Sequence, residues 1–153
     1  MWKAWERVWF QPVDLVTLSL FRILFGFGAF AFYLSRQFHL DEWFSESGML
    51  PMELAKDVYM GKFHAFYFSF PTDPILVRNL HILFLISLLG IALGFFSRFW
   101  ALVGFILHVL FLQRNFTILW GADKIASFWF LYLILAESDR QWSLRAYLFP
   151  SQQ

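Results

Sequence analysis

Apolar residues run almost unbroken from Val13 to Ser35, VDLVTLSLFRILFGFGAFAFYLS, with one arginine, Arg22, set in the middle. About twenty such residues, at a rise of ~1.5 Å each, cross the hydrocarbon core of a bilayer. Three more apolar stretches follow at 75–96, 99–112 and 121–136, separated by Pro71 and Pro74, by a tight turn at Phe96–Arg98, and by the polar run around Arg114 and Asn115. The pattern predicts an all-α integral membrane four-helix bundle, a single domain over 1–153 without internal repeats, whose last two spans are short. Ahead of it, Trp2, Trp5 and Trp9 recur at helical spacing between Lys3, Glu6 and Arg7. That spacing predicts an amphipathic helix lying in the interface and broken by Pro12, with no cleavable signal, so that the first span stays as an anchor. The long connection is 36–74, an acidic and aromatic loop in which Ser47-Gly48 makes a turn and Pro51 opens a short helix.

Composition strengthens the membrane reading. Hydrophobic residues make up 59% of the 153 and charged residues 15%, and mean hydropathy is +0.57, against roughly 45–50% apolar and ~25% charged in soluble domains. The 22 Phe and 8 Trp suit lipid contact, interfacial belts and packing around a flat ligand alike. A formal net charge of +1 gives no case for nucleic acid, and the absence of cysteine excludes disulfides, thiolate metal sites and covalent c-type haem. Lys3, Arg7, Arg98, Arg140 and Arg145 fall on the side of the termini, whereas Arg36, Lys56, Lys62 and Arg114 opposite them are diluted by carboxylates. The positive-inside rule then expects both termini in the cytoplasm and the 36–74 loop outside, in a bacterial inner (cytoplasmic) membrane.

A charge near the bilayer midplane costs about 2.5–3.5 kcal/mol on insertion scales, so Arg22 is expected to face other helices, water or a partner. Counting from helix ends places His81, His108, Asn115 and Asp123 in the outer half, beneath the acidic loop, with Arg22 deeper. Together they form a candidate ligand-binding set, with Arg22 as countercharge to an anion or to Asp123. Each also has a plainer role: His81 and His108 as hydrogen-bonding core histidines, Arg22 as an interhelical clamp, Asp123 as a cap at the start of the fourth helix. Two histidines make no closed metal site, so no metal and no catalytic residue is expected. The ligand classes considered are a lipid or a quinone, and then a haem or chlorophyll-type pigment held by one histidine. Gly90 and Gly94 form a GxxxG that predicts close packing of the second and third spans.

Four pieces in order resemble the vitamin K-dependent gamma-carboxylase-like (HTTM) transmembrane domain: Asp14-Leu15 leading into Leu20-Phe21-Arg22-Ile23-Leu24-Phe25-Gly26; Ser47-Gly48-Met49-Leu50-Pro51; Leu93-Gly94-Phe95-Phe96-Ser97-Arg98; and Arg114-Asn115 through Trp120-Gly121-Ala122-Asp123 to Trp142-Ser143-Leu144. In the carboxylases the catalytic lysine belongs to a downstream half, and none of Lys3, Lys56, Lys62 and Lys124 is equated with it. The resemblance therefore implies a non-catalytic lipid- or quinone-binding module, or an accessory subunit docked to other membrane subunits. The alternatives are half of a split carboxylase-like or quinone-linked enzyme, and a pigment- or haem-binding subunit. The small four-helix core is also distantly similar to DoxX-like proteins.

Overall fold

The computed structural model describes residues 15–46, 48–51, 54, 73–115, 118 and 120–149. Every regular element among them is helical. Helix α1 (Leu15–Arg36) passes through a 3₁₀ turn (Gln37–His39) into the short α2 (Leu40–Phe44); α3 (Pro74–Leu93), α4 (Ser97–Arg114), α5 (Gly121–Leu135) and the short α6 (Leu144–Leu148) follow. The proposed interfacial helix at Met1–Phe10 and the helix opening at Pro51 lie outside the described residues.

Local chemistry sets the boundaries. At the start of α3 the Asp73 carboxylate accepts from the Ile75 N–H at 2.9 Å and Pro74 takes the first helical position, where its missing N–H costs nothing. The second apolar stretch was expected to stay helical to Phe96, but α3 stops at Leu93. Gly94 turns left-handed at φ 72°, and the N–H groups of Gly94 and Phe95 close back on the Gly90 carbonyl at 3.1 and 3.2 Å. The turn to α4 thus runs over Gly94–Phe96. The 36–74 connection is likewise less loop-like than expected, since it opens with the 3₁₀ turn and α2.

The long helices pack in chain order: α1 on α3, α3 on α4, α4 on α5. All four feed one core, with Phe25 and Tyr33 from α1, Phe84, Leu88 and Ile91 from α3, Ala101 and Leu107 from α4, and Phe130 and Leu133 from α5. Glycines set the spacing. A Cβ on Gly26 would lie 2.7 Å from the Ala92 backbone, and one on Gly90 would lie 2.5 Å from the Trp100 ring, so Gly90 does serve the packing of α3 against α4. Gly94 serves instead as the α3 terminator. No comparable backbone approach joins α1 to α5. Among the described residues two helical segments, Leu15–Phe44 and Pro74–Leu93, are long and apolar enough to cross a membrane.

Candidate functional site

The end of the bundle where α1 finishes and α5 begins is built around Asp123, which is fully buried. Its position at the third residue of α5 lets Oδ2 accept from the Trp120 N–H at 2.9 Å, filling an otherwise open donor at the helix start. From α1, the Tyr33 hydroxyl donates to Oδ1 at 2.7 Å and Arg36 Nη2 to Oδ2 at 3.1 Å. Tyr33 and Arg36, three residues apart on one helix face, reach the carboxylate together. The Arg36 guanidinium also lies over the rings of Phe32 and Tyr33, each 5.0 Å from its centroid.

The two candidate histidines join this cluster from α3 and α4. His108 Nε2 donates to the Asp123 carbonyl at 2.9 Å; a carbonyl can only accept, so the Nε2–H form is the one held. His81 Nδ1 pairs with the Gln37 side-chain amide. Tyr33, Arg36, His81 and His108 surround a cavity of about 10 Å³, closed by Phe44, Phe84 and Phe111. A space of that size takes about one water, so neither a porphyrin nor a quinone ring fits between these imidazoles as packed. Asn115 sits nearby but faces elsewhere: its Nδ2 donates to the Trp43 carbonyl at 2.7 Å.

Arg22 does not belong to this group. About fourteen residues of helix separate it from Arg36, roughly 21 Å along α1. Its guanidinium is fully buried. Nη1 donates to the Ile91 and Ala92 carbonyls at 2.7 Å each, Nε to the Ser138 carbonyl at 3.1 Å, and Nη2 to the Trp142 carbonyl at 2.7 Å. Ile91 and Ala92 lie in the last turn of α3, whose carbonyls carry the negative end of the helix dipole. The countercharge to Asp123 is therefore Arg36, and Arg22 is the clamp that ties α1 to the end of α3 and to the segment after α5.

Sequence reasoning missed Arg36 and Arg114, both read as loop-side surface charges. Arg114 is buried at the last position of α4 and donates to the Leu50 carbonyl at 2.9 Å and the Ser45 carbonyl at 3.4 Å, while Asn115 holds Trp43. These contacts hold Trp43, Ser45 and Leu50 over the end of α4. The available signal was a basic residue at each helix C-terminus, where it meets the dipole favourably.

Between α1 and α5 lies an apolar cleft of about 190 Å³, lined by Leu24, Phe25, Gly28, Ala29, Phe32 and Tyr33 on one side and Ala122, Ala126 and Trp129 on the other. Below it, Phe21 and Phe25 pack edge-on against Trp129, with centroids 5.4 Å apart. Above it, Tyr33 and Arg36 bridge to Asp123. The cleft is a window in the bundle wall, opened by four small residues: Gly28, Ala29, Ala122 and Ala126. No family model, curated protein or solved structure matches this chain.

Proposed function

We propose that this is a multi-pass protein of the cytoplasmic membrane, with both termini in the cytoplasm, that seats the hydrocarbon chain of a lipid in the window between α1 and α5. The window carries the reading. It is larger than the ~150 Å³ apolar cavity known to take up benzene, and it opens sideways between helices, where an acyl or prenyl chain would arrive. Support for the membrane comes from the large apolar side chains left outside the bundle, Leu24, Phe128 and Ile75 at 71% exposure and Leu135 at 79%, a surface unsuited to water. The lipid arm is favoured over the quinone arm because the polar atom at the inner end of the window, the Tyr33 hydroxyl, already donates to Asp123 and has no second proton for a quinone carbonyl.

We extend the family resemblance as a proposal too. Its pieces, far apart in sequence, meet in space. Arg22 holds the Trp142 carbonyl, a Cβ on Gly94 would touch both Arg22 and Ser143, and Arg114 grips the Leu50 carbonyl. Residues that share such contacts hold one fold together, and the likeness therefore bears on architecture rather than on chemistry.

The test is photocrosslinking with a phospholipid carrying a diazirine on its acyl chain, in nanodiscs, with sites read by peptide mass spectrometry. Labelling is expected to concentrate on Phe25, Ala126 and Trp129. Gly28→Phe should cut it at least fivefold there and leave Phe128 unchanged, since a Cβ on Gly28 meets nothing within 4 Å. Labelling spread evenly over window and outer faces would remove the proposal.

A further inference from the structure

At the other end of the molecule, the start of α4, the segment after α5 and α6 enclose a second cavity, about 160 Å³, lined by Arg98, Glu137, Asp139, Arg140, Arg145 and Phe149. That is several times the ~30 Å³ share of one water. Three guanidiniums face two carboxylates. Arg98 and Arg140 share Glu137, and Arg145 pairs with Asp139 at 2.9 Å. The pairing leaves one positive charge in excess, and the guanidiniums of Arg98, Arg140 and Arg145 stay half-exposed around the opening. The rim is aromatic: Phe149 lines it, and Arg145 lies over the Phe96 ring at 5.9 Å. Nothing in the window or the Asp123 cluster uses these residues.

We propose that this pocket binds a phosphate group, with an anionic phospholipid headgroup as the occupant. Arginine suits the task because its planar fork offers paired donors to phosphate oxygens. One phosphodiester charge would match the net charge of the lining, three guanidiniums against two carboxylates, and aromatic rims with basic pockets are what headgroup depth in a membrane favours. The proposal rests on the membrane reading above for its lipid source, but not for its anion chemistry. Glu137 is then the group a phosphate competes with, because it occupies two of the three guanidiniums.

The purified protein would be titrated with phosphatidylglycerol and with phosphatidylcholine, bound lipid being counted by native mass spectrometry, and separately with inorganic phosphate in lipid-free detergent. Phosphatidylglycerol is expected to bind at least tenfold more tightly than phosphatidylcholine. Arg140→Gln should weaken it severalfold and Glu137→Gln should strengthen it, a pair of opposite shifts that mere loss of an ion pair would not give. The same opposite shifts with inorganic phosphate, and none with lipid, would keep the site and assign it to the free anion. Equal binding of the two lipids with no response of either ligand to either variant would overturn the proposal, whatever the crosslinking at the window shows.

Discussion

Removing the Asp123 carboxylate would leave Arg36 and Tyr33 buried without the acceptor they share. Breaking a buried pair from one side costs about 3–5 kcal/mol, whereas removing both partners costs far less. Asp123→Ala should therefore lower thermal stability in detergent strongly, and adding Arg36→Met should recover a good part of the loss. Simple addition of the two single effects would show that the pair is not coupled. Gly94 gives a second prediction of the same kind. Its φ of 72° is strained for any side chain, and a Cβ there would collide with Arg22 Nη1 and the Ser143 Cβ. Gly94→Ala should cost more than the ~1 kcal/mol usual for a left-handed glycine, because it also displaces the Arg22 clamp; an unchanged melting temperature would refute that.

Helix α1 carries two glycines a half-turn apart with opposite expectations. Gly26 faces the Ala92 backbone, so Gly26→Leu must push α1 away from α3, an overpacking cost of about 1–3 kcal/mol. Gly28 faces the window, so Gly28→Leu should be neutral or stabilising, gaining up to ~1 kcal/mol of helix propensity. Melting curves of the two variants check the contrast, and equal losses would mean the window is not open space. Such differences were not legible in the sequence, where both glycines merely thin one apolar run. The helices themselves were legible, because long apolar runs ended by Pro74 and Gly94 leave few other readings. Asp123 was legible as a helix cap for a similar reason, since Trp120-Gly121-Ala122-Asp123 announces a helix start. The roles of Arg22, Arg36 and Arg114 were hidden. Arg22 and Arg114 are held by backbone carbonyls, which every residue has and no sequence displays, and Arg36 finds its carboxylate 87 residues away. Depth counted from helix ends could not name the partners of Arg22, because it does not show that α3 ends beside it.

For the molecule as a whole, Arg22, Arg98, Arg140 and Arg145 gather at the end where α1 starts, and Asp123, His81 and His108 at the other. Reporter fusions after Gln153 and near Ser47 test the orientation proposed from this asymmetry: the C-terminal fusion should be fluorescent and phosphatase-inactive, the loop fusion phosphatase-active, and the reverse pattern would place the arginine pocket outside. Arg22 also dictates an order of events during synthesis. The carbonyls that hold it belong to residues 69 to 120 positions later in the chain, and at roughly 5–20 residues per second a ribosome takes on the order of ten seconds to deliver the last of them. Until Ile91 is made the first helix carries a guanidinium with none of its final acceptors, and until Trp142 it lacks at least one of them, so it depends on the insertion machinery to keep it. Nascent chains stalled before Ile91 should be cleared by membrane proteases faster than chains stalled after Trp142, and Arg22→Leu should abolish that difference.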